Sequence, residues 1–225
     1  MRIEIWLDPV CVFSYIAKHR FENALDKLNL KDSVWLEWHS FVHPYCQSEH
    51  AYASIVDFYK KEFHLSRKRA RMLRDDFSEI IASEGLCIEM DKVVPCNSYN
   101  SHRLLRMAHR YQRQTELIDA LFHAYFAEGK NLSQVPVLAE IGQSVGIPED
   151  KILEMYEGYE YMVEVRRDIE YARRLEFHNV PGFYVDSRVT MFGNHPENSV
   201  ADFIDSLYRQ YSRRNPQPTN SLLKV

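Results

Sequence analysis

The sequence predicts an α/β fold: a mixed four-stranded sheet with flanking helices, interrupted along the chain by a large all-helical insertion. Three observations carry this. The N-terminal segment alternates and then turns helical before a second strand. The stretch from about Ala51 to Phe177 reads almost entirely helical. The C-terminal segment returns as two short strands and a helix. Strands separated by more than a hundred residues must therefore meet in one sheet.

The first strand is read from Ile3, Ile5 and Leu7 alternating with Arg2, Glu4 and Trp6, and it breaks at Asp8-Pro9. From Ser14 onward Tyr15, Ile16, Phe21, Ala24, Leu25 and Leu28 recur at helical spacing, and the pattern fades near Asn29. Val34–Phe41 forms the second strand, with Val34, Leu36, Trp38 and Ser40 on one face, and His43-Pro44 ends it. Helices follow over Ala51–Phe63, from the cap Ser66 to Ser83, over Ser98–Tyr111, and from Thr115 to Glu128 before Gly129. Val135–Val145, a short helix begun by Pro148, and a long one over about Glu160–Glu176 complete the insertion. Gly182–Val185 and Arg188–Phe192 read as a hairpin turning at Asp186-Ser187, and Glu197–Tyr211 as the last helix. Residues 1–45 and 174–213 are expected to form one discontinuous domain, 46–173 the helical insertion, and 214–225 a loose tail.

Composition narrows the class. The chain has 225 residues, 45% apolar and 27% charged, with 7 glycines and 9 prolines, enough to bury a core without disulfides. A net charge of −4 argues against a general attraction to nucleic acid. No apolar run approaches the roughly 18 residues of a membrane span. Acidic Glu4 and Asp8 inside the first apolar stretch exclude a secretory leader, so a cytoplasmic protein is expected. In that compartment Cys11, Cys46, Cys87 and Cys96 should be thiols.

Cys11 stands apart from the other three because it falls just after the first strand and at the start of the first helix. Unpaired N–H groups and the partial positive charge of a helix N-terminus favour an anion there, so a depressed thiol pKa is expected. The second feature is Asn179-Val180-Pro181, immediately before the returning strand. A cis Val180-Pro181 bond would present the Val180 backbone beside Cys11, an edge along which an extended peptide or a thiol compound could lie.

Several segments together carry a resemblance: Ile5-Trp6-Leu7-Asp8-Pro9-Val10-Cys11, Glu37-Trp38-His39-Ser40-Phe41, Pro95-Cys96-Asn97-Ser98, His102-Arg103-Leu104-Leu105, Leu121 through Gly129, and Val180-Pro181. Over residues 1 to about 210 the chain resembles the DsbA-like branch of the thioredoxin superfamily, and within it the FrnE-like group. Kappa-class glutathione transferases and 2-hydroxychromene-2-carboxylate isomerases share that architecture. The resemblance implies a thioredoxin fold with a helical insertion and a Cys-x-x-Cys redox site facing a cis-proline. This sequence departs from the pattern where Ser14 stands in place of the second cysteine. A hydroxyl cannot resolve a mixed disulfide, so the dithiol cycle is closed at this motif. Gly182 replaces a bulky apolar residue, and Phe192-Gly193-Asn194-His195 replaces Ser-Gly-Ala-Gln; both changes are expected to open or reshape the pocket.

The expected activity is monothiol disulfide exchange at Cys11, with Ser14 as a hydrogen-bond donor and Phe13, Val180, Pro181, Asn97 and His102 contacting the substrate. The alternatives are a glutathione-dependent isomerase or transferase and a redox-inactive adaptor that binds peptide. No bound cofactor is expected beyond glutathione or another low-molecular-weight thiol. The partner would be a protein or small-molecule thiol or disulfide, and the chain a monomer or homodimer. His43, Cys46 and His50 lack a fourth ligand at a diagnostic spacing and are read as a polar loop, so no metal is expected. Lys60-Lys61 and Arg67-Lys68-Arg69 are followed by Asp75, Asp76 and Glu79, which marks a solvated helix face. Phe122, Tyr125 and Phe126 at helical spacing are read as core.

Overall fold

The computed structural model describes residues 1–44, 52–185, 188–193 and 195–214. Strand β1 (Arg2–Leu7) leads into helix α1 (Val12–Lys27), and β2 (Trp35–Ser40) follows. The two pieces of the chain meet as expected. β3 (Gly182–Val185) and β4 (Arg188–Phe192) return to the same sheet, giving the order β2-β1-β3-β4. β1 runs parallel to β2, with Ile5 opposite Trp38, and antiparallel to β3, with Ile5 opposite Phe183. The Asp186-Ser187 turn lies outside the described residues.

Alternation in β1 suggests one dry and one wet face, yet both faces are buried. Ile3, Ile5 and Leu7 join the main core with Phe21 of α1, while Trp6 lies in a second cluster with Phe41, Ala172, Phe177 and Val180. The cover on that side is α8 (Met162–Arg174). It docks through a polar network as well as packing. Trp6 Nε1 donates to the Asp168 carbonyl at 3.1 Å, the Ser40 N–H donates to Asp168 Oδ2 at 2.8 Å, and His39 Nδ1 meets Asp168 Oδ1 at 2.9 Å. Arg106 also pairs with Asp168, and His39 Nε2 faces Glu4 at 3.1 Å. Burial pulls the His39 pKa down, but the hydrogen bonds to Asp168 and Glu4 outweigh it and leave it raised. Burial acts upward on Asp168, and its bonds from His39 and Arg106 leave it lowered.

The insertion begins at α2 (Ile55–Glu62), capped by Ser54, and α3 (Arg67–Ser83), capped by Ser66. Next come α4 (Tyr99–Arg110) and α5 (Gln114–Phe122), then α6 (Val135–Ser144) and α7 (Glu149–Glu157). The single helix expected from Thr115 to Glu128 is not uniform: after Phe122 it widens into a π-helical turn over His123–Ala127. Such turns re-aim side chains and recur at functional sites. Arg103 of α4 ties the insertion together, donating to the carbonyls of Met155 (2.6 Å), Gly158 (2.8 Å) and Glu160 (3.0 Å). The final helix α9 (Glu197–Arg214) runs slightly past Tyr211, and the tail beyond 214 lies outside the described residues.

Candidate active site

The turn after β1 sets the site. The Cys11 N–H donates to the Asp8 carbonyl at 2.9 Å, closing Asp8-Pro9-Val10-Cys11 and leaving Cys11 as the N-cap of α1 with extended dihedrals (φ −97°, ψ 117°). The Asp8 carboxylate is fully buried and holds the surroundings in place. It accepts from the Val10 N–H at 3.3 Å and from the His43 N–H at 2.9 Å. The Val180-Pro181 bond is cis, and the Cys11 thiol points at the Val180 carbonyl, 3.9 Å away. Ser14 is buried; its Oγ accepts the Asp8 N–H at 3.3 Å, and its hydroxyl lies near enough to Cys11 to pull the thiol pKa down.

Cys11 opens onto a cavity of about 500 Å³, within the ordinary range for small-ligand pockets. The sheet side supplies Asp8, Cys11, Phe13, Val180 and Gly193; the insertion supplies Phe58, Tyr59, Leu73, Phe77, Met90 and Phe126 among others. The lining is mostly apolar, and among the described residues it contains neither lysine nor arginine. At the rim, His43 Nε2 and Asn179 Oδ1 lie 3.1 Å apart.

The depressed thiol pKa expected from the helix N-terminus is not what this environment produces. Burial against the cavity wall pushes the Cys11 thiol up, the Ser14 N–H and hydroxyl and the Phe13 N–H pull it down, and the nearby Asp8 carboxylate pushes it up again. The balance is a raised pKa, because desolvation of a sulfur anion outweighs the amide donors. Cys96 is likewise pushed up, to about 12, chiefly by burial. Cys11, Cys87 and Cys96 are all free thiols, and of these only Cys11 lines the cavity. Cys46 and His50 of the sequence-read His/Cys cluster lie outside the described residues, and among the described residues no group of side chains could hold a metal ion.

Of the predicted contact residues, Phe13 and Val180 line the cavity with Cys11, while Pro181 stands behind Val180 and accepts the Gly193 N–H at 2.9 Å. Asn97 and His102 do not line it. Asn97 Oδ1 accepts the Tyr99 N–H at 2.8 Å and opens α4. His102 is fully buried beside Asp8, its Nε2 3.6 Å from Asp8 Oδ1, with neither ring nitrogen hydrogen-bonded among the described residues. Neither reaches the cavity because Asn97 is committed to the start of α4, and α4 packs among α5, α6 and α8. Gly182 does not widen the cavity either: a Cβ there would stand 2.9 Å from the Phe177 ring, which occupies that space. What the sequence does not point to is the contribution of α2 and α3. Ile55, Phe58 and Tyr59 have ordinary core spacing, and nothing in that pattern distinguishes a core stripe from a cavity wall.

A four-stranded sheet in this order, with a cysteine capping the first helix opposite a cis-proline, defines a thioredoxin-fold protein. More narrowly, the chain belongs to the DSBA-like thioredoxin domain family, which matches residues 2–205 and includes thiol–disulfide oxidoreductases and isomerases. It is similar in structure to a probable DsbA oxidoreductase from Streptomyces coelicolor, with a TM-score of 0.87 and 24% identity over 99% of this chain and 94% of that one. It is also similar to a 2-hydroxychromene-2-carboxylate isomerase, with a TM-score of 0.63 and 13% identity over 96% of this chain and 98% of the other. The cytosolic disulfide reductase DsbM of Pseudomonas aeruginosa, solved with glutathione, has a TM-score of 0.61 and 14% identity over 93% and 100%. No curated protein sequence matches. Among the described residues no helix is long and apolar enough to cross a membrane.

Proposed function

We propose that the protein is a thiol–disulfide oxidoreductase that works through one nucleophilic sulfur, Cys11, in a Cys-x-x-Ser site. The supporting observation is positional: among the described cysteines only Cys11 lines the cavity, and it faces the Val180 carbonyl. Once Cys11 has lost its proton to water, the thiolate attacks a substrate disulfide. One half of the substrate stays on Cys11 as a mixed disulfide and the other leaves as a thiolate. The Ser14 hydroxyl stabilises the anionic sulfur, and a low-molecular-weight thiol such as glutathione releases the retained half. Three free thiols fit a reducing compartment, the cytoplasm. Substrates are thiols or disulfides, and nucleic acid is not among the partners. Cys11→Ser should abolish both turnover and mixed-disulfide capture, read by intact mass spectrometry. Wild-type activity in Cys11→Ser would overturn the reading.

The apolar cavity favours a second reading, a thiol-dependent isomerase or transferase acting on an apolar electrophile. Saturable glutathione binding with turnover of such a compound, and no disulfide exchange, would select it.

A further inference from the structure

Tyr59 is 6% exposed and lines the same cavity as Cys11. Its ring packs against Phe58, Phe63 and Phe77, but its hydroxyl has no hydrogen-bond partner among the described residues. With no protein partner among those residues and with the rest of the ring packed away, the hydroxyl is available to donate to whatever occupies the cavity. Burial and the facing Cys11 sulfur both push this hydroxyl up, which keeps the O–H on the oxygen as a donor. Among the described residues, the only other ionisable side chains on the lining besides tyrosines and Cys11 are Asp8, already accepting two backbone N–H groups, and His43 at the rim. Glutathione brings two carboxylates and an ammonium to a wall that offers them no lysine or arginine.

We propose that the cavity takes the uncharged aromatic half of a small organic disulfide, and that the Tyr59 hydroxyl hydrogen-bonds the sulfur of that half as it leaves. This rests on Cys11 being the nucleophile. The electron pair of the Cys11 thiolate forms a bond to the outer sulfur of the substrate. The substrate S–S bond breaks, and its pair departs with the ring-bearing sulfur in the cavity. Cys11 is thereby oxidised to a mixed disulfide and the ring-bearing half reduced to a thiolate, which takes its proton from water after release. Tyr59 donates a hydrogen bond throughout and keeps its proton.

The test measures mixed-disulfide formation on Cys11 with uncharged diaryl disulfides of graded leaving-group acidity and with glutathione disulfide. Each rate is divided by that of the same reagent with free cysteine. The diaryl reagents should be favoured at least about tenfold over glutathione disulfide. Tyr59→Phe should slow the poorest leaving groups by about tenfold and leave the most acidic nearly unchanged, since those need no help from a donor. A purely structural Tyr59 would slow all alike. Leu73→Lys, which adds a cation to the lining, should shift the preference toward glutathione disulfide. Equal normalised rates for the two reagent classes, or a Tyr59→Phe effect independent of the leaving group, would overturn the proposal while exchange at Cys11 itself stood. Absence of any exchange at Cys11 would instead remove the underlying reading.

Discussion

Replacing Ser14 by alanine separates what this hydroxyl does for the fold from what it does for the sulfur. Its oxygen accepts the Asp8 N–H at 3.3 Å, at the point where β1 gives way to the active-site turn. Alanine leaves that buried N–H unpaired, which costs about 1–3 kcal/mol. At about 2–4 °C per kcal/mol for a chain of this size, the melting temperature should fall visibly. The hydroxyl also donates toward Cys11, and a hydrogen bond to a charged group is worth about 1.5–3 kcal/mol. Removing it should slow iodoacetamide alkylation of Cys11 at pH 7 by about three- to tenfold, since each ~1.4 kcal/mol costs tenfold in thiolate and the more basic sulfur returns about threefold of that. Urea unfolding followed by circular dichroism gives the first quantity, and alkylation followed by mass spectrometry the second. If Ser14→Ala matches the wild type in both, the hydroxyl does not bridge strand and sulfur.

Three further outcomes are expected. Ser14→Cys should close a disulfide between Cys11 and the introduced thiol on mild oxidation and add dithiol oxidoreductase activity; a variant that stays fully reduced in the presence of oxidised glutathione would contradict the helix-cap geometry. The alkylation rate of wild-type Cys11 should still be rising at pH values where free cysteine has levelled off, because the folded pKa is raised by burial. An inflection at or below that of free cysteine would show that the helix N-terminus prevails. For Asp168→Asn, loss of one partner in the buried His39–Asp168–Arg106 network should destabilise by about 3–5 kcal/mol. The raised His39 pKa contributes stability below the unfolded imidazole pKa that is lost as pH rises through the folded one. The lowered Asp168 pKa contributes stability above the unfolded carboxylate pKa that is lost as pH falls. Wild-type stability should therefore decline above neutrality, and the variant's curve there should be flatter; identical slopes would exclude His39 as the titrating group.

The two halves of the sheet are legible because strand periodicity and the breaks at Asp8-Pro9 and Asn179-Val180-Pro181 are local. Cys11 and Val180 are legible for the same reason, each being placed by the turn it sits in. The cavity is not, because it arises where α2, α3 and the π-helical turn pass over the end of the first helix, and no local pattern encodes that passage. Phe126 shows the difficulty: it is 2% exposed, as its helical spacing predicts, and yet lines the cavity, because the wall of an apolar site has the composition of a core. His102 shows the converse. Its motif reads as functional, but α4 places the ring in a buried position 3.6 Å from Asp8 Oδ1 and off the cavity lining.

A raised thiol pKa looks unfavourable for a nucleophile, but the magnitudes decide otherwise. Each tenfold loss in thiolate population at neutral pH is partly returned by the higher intrinsic nucleophilicity of the more basic sulfur, about threefold for a Brønsted coefficient of 0.4–0.5. The net loss is then only about threefold per tenfold. The apolar wall that raises the pKa is the same wall that would hold the proposed apolar substrate beside the sulfur, and covering one aromatic ring is worth about 1.5–3 kcal/mol, or roughly 10- to 100-fold in occupancy. Filling the cavity also excludes water from the leaving sulfur, which strengthens the hydrogen bonds that Ser14 and Tyr59 can offer. An acidic, fully exposed thiolate would react with any disulfide in solution; a half-buried one on the wall of an apolar cavity reacts best with molecules that enter. On the proposed reading the helical insertion makes a general exchange site selective, through walls contributed by α2, α3 and the π-helical turn.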